Sequence, residues 1–372
     1  MGIKGLNPFI KKINKDVFKS VDIKTLKGKS FAVDISIFIN TYAMSSQEFW
    51  FIQMTNFLLS LVKNDLNPVI VFDGLNVPEE KLVEREDRKS SKQKNKAREE
   101  KIAMYKEKLI MKCWNDEEAK IVPDDLIDEF KTLFKQKNDV NPRDAEEVLL
   151  FVTEKLVKVE QQAIGINNDH KTMTRALVKA MGLPYIQADG EAEALCSSMA
   201  FNGIVDGVIS RDTDTLAYGC PFLLKEIKKG MAEIVYLKDV LEALEMTKQE
   251  FVNMCICFGC DYNKNMPGIG PAKVYPAIKK HKSIKEWKEA SPELPFHILK
   301  WKRCLEIFRP YSKSYITDKC QIKKRPFDPV VLDKLFTETN SRYTSDFVKG
   351  VIEGKIEKTF QGKDISILDD FD

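Results

Sequence analysis

Four short apolar runs, each followed closely by acid, constrain this chain more than any other feature. Ser30-Phe31-Ala32-Val33 runs into Asp34, and Pro68-Val69-Ile70-Val71-Phe72 runs into Asp73 and a turn glycine, Gly74. Met181 to Ile186 leads to Glu191 and Glu193, and Val205 to Ser210 leads to Asp212 and Asp214. Runs of this length and composition read as buried strands. Helical stretches separate them, which predicts an α/β fold with a doubly wound, mostly parallel sheet. In such sheets functional groups gather beyond the carboxyl ends of the strands.

Any one of these acids could be a helix cap or a turn residue, the commoner fate of Asp in such places. Their coincidence across four strands argues for a shared site. Carboxylates brought together repel, and burial penalises their charge, so they stay ionised only with cations among them. A set of acids without Lys or His suits hard ions with oxygen ligands, Mg²⁺ or Mn²⁺. Several acids around two such ions suit phosphodiester hydrolysis, one ion activating water and the other stabilising the leaving oxygen.

Composition excludes several alternatives. No run of eighteen apolar residues exists, so no membrane span is expected, and the N-terminal residues lack a signal-peptide pattern, so the chain is expected inside the cell. Leu6 stands where a myristoylation motif needs Ser or Thr. The eight cysteines have no paired spacing; Cys255, Cys257 and Cys260 do not share a helical face, and buried free thiols are expected. Three scattered histidines leave little room for His-based metal or triad chemistry. Lys+Arg 59 against Asp+Glu 56 gives a net charge of only +3, so the distribution matters more than the total. Basic residues cluster at 81–112 and 273–325.

The first cluster lies in a long polar insertion. Pro78 to Lys112 reads as one helix, on which Lys81, Arg85 and Arg88 share a face. It is either a solvated helix laced with ion pairs or a lid that grips phosphates. Another amphipathic helix runs from Asp144 towards Ile166. Farther on, an apolar helix, Lys248 to Gly259, precedes Asp261, Gly268-Ile269-Gly270 and Lys273. Two helices joined by such a hairpin can offer backbone N–H groups and lysines to a nucleic-acid phosphate without reading sequence. Prolines 292, 295, 310, 326 and 329 separate helices over 283–360, and the tail ends Ile365-Ser366-Ile367-Leu368-Asp369-Asp370-Phe371-Asp372.

Together these motifs resemble the flap endonuclease/XPG family of structure-specific 5′ nucleases. The resemblance rests on Met1-Gly2-Ile3-Lys4-Gly5-Leu6, Ala32-Val33-Asp34, Val71-Phe72-Asp73-Gly74, Gly190-Glu191-Ala192-Glu193-Ala194, Asp212-Thr213-Asp214, and Gly259-Cys260-Asp261-Tyr262 with Gly268-Ile269-Gly270-Pro271. It implies a PIN-like 5′-nuclease domain over 1–360. Within it would lie an N-terminal nuclease region (1–77), a helical arch or cap (78–166), an internal region (167–260), a helix–hairpin–helix (250–282) and C-terminal helices (283–360). Residues 361–372 would form a flexible tail. The family's seven metal-binding carboxylates fall on Asp34, Asp73, Glu191, Glu193, Asp212, Asp214 and Asp261, holding two Mg²⁺ that Mn²⁺ can replace. Catalytic Lys and Arg fall on Lys81 and Arg88, with Arg85 as rival to Arg88. Gly2 would pack near the site, and Gly268, Gly270 and Lys273 would hold the DNA duplex, with K⁺ at the hairpin.

The resemblance further implies a nuclear monomer that cuts DNA 5′ flaps and has 5′→3′ exonuclease activity in replication and repair. A viral protein at a cytoplasmic replication site would fit equally. Leu368 and Phe371 fit a sliding-clamp (PCNA) binding box, but Ile365 and Asp372 depart from it. Asn40 stands where the family has a base-stacking aromatic, a role left to Phe38 or Tyr42, and the insertion is longer than usual. A 5′ exonuclease, a junction-resolving nuclease and an inactive DNA-binding scaffold remain as alternatives.

Overall fold

The computed structural model describes residues 2–46, 48–114, 120–134, 140–163, 167–319, 322 and 325–354; the side chains of 83–85, 87, 88, 161–163 and 319 lie outside that description. In chain order the elements are α1 (Leu6–Ile13), β1 (Lys19–Asp22), β2 (Ser30–Asp34), α2 (Ile35–Ser45), α3 (Trp50–Lys63), β3 (Asn67–Phe72) and α4 (Glu79–Cys113). There follow α5 (Asp124–Leu133), α6 (Ala145–Ala163), α7 (Asn168–Ala180), β4 (Tyr185–Gln187), α8 (Ala192–Phe201), β5 (Gly207–Ile209) and α9 (Asp214–Ala217). The hairpin β6 (Phe222–Lys228) and β7 (Met231–Tyr236) leads into α10 (Leu237–Leu244), α11 (Lys248–Phe258), α12 (Pro271–His281) and α13 (Ile284–Ala290). The last helices are α14 (Trp301–Ile307), α15 (Lys313–Lys319), α16 (Pro329–Glu338) and α17 (Ser345–Ile352).

The sheet has seven strands in the order β1-β7-β6-β5-β2-β3-β4. Its centre is parallel: β2 pairs with β3 and β5, β3 with β4, and β5 with β6. The hairpin partner β7 and the edge strand β1 are antiparallel. All four strands expected from the sequence are present. The third is shorter than expected, because α7 extends to Ala180 and ends at Gly182, whose φ of 71° takes the left-handed turn that closes the helix. The three strands on the β7 side were not expected. β1 escaped notice because it is short and largely exposed, with no alternating pattern.

The chain divides into two compact units. The first comprises residues 1–39, 49–84 and 168–372 and contains the whole sheet. Buried on its β2 and β3 strands are Phe31, Ala32, Val33, Ile70 and Val71, which are apolar on both faces, as strands covered on both sides require. The second comprises 40–48 and 85–167 and has its own core, in which Ile102, Tyr105 and Leu109 of α4 meet Leu126 and Phe130 of α5 and Val148 and Val152 of α6. Seven cysteines are described, all buried and unbridged, as expected; Cys320 lies outside the described residues.

Candidate metal centre

Each of the four strands β2, β3, β4 and β5 delivers acid to the same end of the sheet. Asp34 is the last residue of β2, where its Oδ1 accepts the Ser36 N–H at 3.2 Å. Asp73 follows β3 directly, and its Oδ1 accepts the Ala192 N–H at 3.0 Å, placing a negative charge at the amino end of α8. Gly74 must be glycine for this join, since a Cβ there would lie 2.1 Å from the Ala188 carbonyl oxygen. Glu191 caps α8 and Glu193 occupies its first turn; both are buried. Asp212 accepts the Asp214 N–H at 3.1 Å, and Asp214 opens α9.

Three of these groups are closest. Glu193, Asp212 and Asp214 each place a ligand oxygen within 4.8 Å of the other two. Asp214 is 0% exposed, and neither of its carboxylate oxygens has a hydrogen-bond partner among the described residues. Burial raises the Asp34 carboxyl well above its ordinary range, and the charges of Asp73 and Asp212 raise it further. Burial likewise raises Asp214, aided by Asp212 and Asp261, and raises Glu193, with Asp212, Asp214 and Glu191 adding to the effect. The acids therefore act on one another as one group.

A cation does lie among these acids, which corrects the expectation of a set without Lys. Lys81, in the first turn of α4, places Nζ 2.6 Å from Glu191, 3.3 Å from Glu193 and 3.5 Å from Asp261. Burial works against its charge, but Glu193, Glu191 and Asp261 outweigh burial and hold its pKa above the ordinary lysine value. Asp261 reaches this point because a tight turn follows α11. Cys260 and Asn263 exchange backbone hydrogen bonds of 3.0 and 3.1 Å, and the Asn263 side chain ties the turn to the Ile256 carbonyl and the Lys300 N–H.

Among known proteins, the motifs around this pocket have counterparts. Residues 1–95 match the XPG N-terminal domain and residues 182–261 the XPG I-region. The probable RAD2-like endonuclease 369L of Invertebrate iridescent virus 6 is 30% identical over 311 residues, covering 76% of this chain and 72% of that protein. The chain belongs to the flap endonuclease/XPG family. Flap endonuclease 1 of Meyerozyma guilliermondii is 29% identical over 315 residues, covering 79% and 72% of the two chains. The fold is similar to the catalytic core of Rad2 in complex with DNA substrate, at TM-score 0.58 and 16% identity over 95% of this chain and 100% of that one. It is also similar to flap endonuclease-1 from Methanococcus jannaschii, at TM-score 0.56 and 20% identity over 91% and 95%.

The family's nucleases depend on metal ions, and the residues present fit one. Buried carboxylate oxygens without partners, as on Asp214, are costly unless a cation completes them. Gly2 lies against the same acids: its φ is 87°, and a Cβ there would be 2.0 Å from Asp212 Oδ1 and 2.9 Å from Asp214 Oδ1. In the hairpin, Gly268 turns with φ 71°, Gly270 caps α12, and Lys273 Nζ donates to the Gly268 carbonyl at 3.1 Å. Phe38 is not available for stacking on a base, because it is 3% exposed and stacked on Phe57 at 4.1 Å. Arg85 and Arg88 lie on α4 with side chains outside the described residues, as do Leu368 and Phe371 entirely. Sequence reasoning passed over Tyr218 and gave Tyr262 no role. The Tyr262 hydroxyl is buried beside Glu191 and Glu193, with the Tyr218 hydroxyl against it, and the one available signal was that Tyr262 adjoins Asp261.

Proposed function

We propose that this protein is a structure-specific 5′ nuclease that hydrolyses DNA phosphodiesters where single and double strands meet, with the 5′ flap as its main substrate and 5′→3′ exonuclease activity beside it. The observation that carries this reading is the buried Glu193, Asp212 and Asp214 triad, with both Asp214 oxygens unpartnered and Lys81 alongside. Glu193, Asp212 and Asp214, with Asp261 beside them, would hold one divalent ion, and Asp34, Asp73 and Glu191 would supply ligands for a second. The donor set is all oxygen, which favours Mg²⁺ or Mn²⁺. Bound there, such ions supply an activated water and stabilise the leaving oxygen.

The chain's own residues do the rest. Lys81 exchanges its carboxylate partners for the scissile phosphate, whose charge it neutralises. Arg88, or Arg85 in its place, adds a second positive charge to that phosphate from the same helix. Gly2, having no side chain, leaves room beside Asp212 and Asp214. The Gly268–Gly270 hairpin and Lys273 hold the duplex through its backbone, with K⁺ at the hairpin, so selection is by shape rather than base sequence. The tail residues Leu368 and Phe371 are proposed to contact a sliding clamp. The protein is proposed to work as a monomer, in the nucleus or at a viral replication site.

Cleavage of matched 5′-flap, nicked, blunt and four-way substrates tests this. The flap should be cut fastest in Mg²⁺, at the junction, and Asp212→Ala should abolish cutting while leaving DNA binding largely intact. Preferred cutting of the four-way substrate would reassign the enzyme to junction resolution, and full activity of Asp212→Ala would overturn the metal-pocket mechanism.

A further inference from the structure

Two buried phenols stand behind the acidic pocket. Tyr262 is 2% exposed and Tyr218 1% exposed, and their hydroxyl oxygens are 2.7 Å apart. The Tyr262 hydroxyl also donates to Glu191 Oε2 and lies 3.3 Å from Glu193 Oε1. Phe308 packs edge-on against both rings, at 5.0 Å from Tyr218 and 5.7 Å from Tyr262, and fixes their planes.

The direction of this chain of hydrogen bonds follows from the bond to Glu191. The Tyr262 hydroxyl donates to Glu191 Oε2, while the Lys81 ammonium lies 2.6 Å from the other oxygen, Oε1. Tyr262 must then spend its proton on Glu191. Its oxygen is left as the acceptor for Tyr218, whose buried hydroxyl donates to it. The chain runs one way, from Tyr218 through Tyr262 to Glu191 Oε2.

The two oxygens of Glu191 therefore differ. Oε2 is held by a phenol, while Oε1 faces the cation in the pocket. We propose that Tyr262, backed by Tyr218, is a positioning residue that restricts Glu191 to one-oxygen ligation and so selects small octahedral ions over Ca²⁺. Mg²⁺ and Mn²⁺ accept single carboxylate oxygens in octahedral sites, whereas Ca²⁺ is larger and readily takes both oxygens of one carboxylate. A phenol that withholds Oε2 penalises the two-oxygen mode. The inference rests on the metal-pocket reading of the seven acids.

The test is metal binding to the full chain without DNA, by Mn²⁺ electron paramagnetic resonance with Ca²⁺ as competitor. Wild type, Tyr262→Phe, Tyr218→Phe and Asp214→Asn are compared, with near-ultraviolet circular dichroism as the check of folding. Wild type should prefer Mn²⁺ to Ca²⁺. Tyr262→Phe should reduce that preference about tenfold, the usual scale for loss of a group that orients a metal ligand. Tyr218→Phe, one bond farther back, should reduce it by a smaller factor, and it carries the test if Tyr262→Phe does not fold. An unchanged ratio, or Mn²⁺ and Ca²⁺ affinities falling together, would overturn the selectivity role while leaving the metal pocket standing. No binding by wild type beyond that of Asp214→Asn would overturn the pocket itself, and this inference with it.

Discussion

Replacing Asp214 by Asn should make the metal-free protein more stable and the metal-loaded protein less so. Asp214 is fully buried, and the ligand oxygens of Glu193, Asp212 and Asp214 lie within 4.8 Å of one another. At an effective dielectric constant of about 20, two unit charges 4.8 Å apart repel by about 3.5 kcal/mol, and Asp214 has two such neighbours. Proton uptake and local relaxation relieve much of this, leaving on the order of 2 kcal/mol. The Asn amide keeps the shape, and its N–H₂ can donate to the neighbouring carboxylates. In EDTA the variant should therefore melt roughly 3 °C above wild type, the shift that about 2 kcal/mol produces in a unit of this size. In millimolar Mn²⁺ the order should reverse, because only wild type gains binding energy. Differential scanning calorimetry in both conditions reads this directly. Coincident melting in EDTA, together with equal stabilisation by Mn²⁺, would refute the claim that these carboxylates are packed against their mutual repulsion to hold a cation.

Three further outcomes follow from the same pocket. Lys81→Met leaves Glu191, Glu193 and Asp261 without their ammonium; it should destabilise the metal-free protein by about 3–5 kcal/mol in denaturant unfolding, and slow cleavage by about 10²-fold or more at saturating Mg²⁺. Gly2→Ala pushes a methyl into Asp212 and Asp214 at a φ of 87°, so it should cut the rate in single-turnover assays with little change in melting temperature. The pH dependence has a definite sign: carboxyls raised in the folded state, such as Asp34, Glu193 and Asp214, bind more protons folded than unfolded. Their stabilisation is complete at low pH and is lost as pH rises from the unfolded value near 4 through the raised folded values. Metal-free protein should therefore lose stability as pH rises above about 4 in a denaturant series, and Mn²⁺ should abolish that slope. The carboxyls lowered by partners, Asp125, Asp206, Glu245 and Glu250, act below this window and do not cancel the trend.

Much of the centre was legible because burial wrote itself into the sequence. A strand covered on both faces must be apolar throughout, so β2 and β3 stood out, and an acid at the end of such a strand has few reasons to be there. The β6–β7 hairpin carried a signal that went unread: Lys229 and Gly230 both have positive φ, a two-residue turn between strands with apolar runs. β1 has no such pattern and is recruited by pairing with β7. The placement of Lys81 could not be read from local pattern at all. It sits in a polar helix 112 residues from Glu193, and only the fold sets its ammonium against that carboxylate. Tyr218 was invisible for a similar reason, since a buried tyrosine looks like any core aromatic until its hydroxyl partner is known.

The most direct measurement is the anomalous difference map of a Mn²⁺-loaded crystal of the protein bound to a 5′-flap DNA. The expected result is two manganese peaks in the pocket, the first ligated by Glu193, Asp212 and Asp214, with Lys81 moved from Glu191 onto the phosphate between duplex and flap. A pocket without manganese, its lysine still paired with Glu191 while DNA is bound elsewhere, would contradict it.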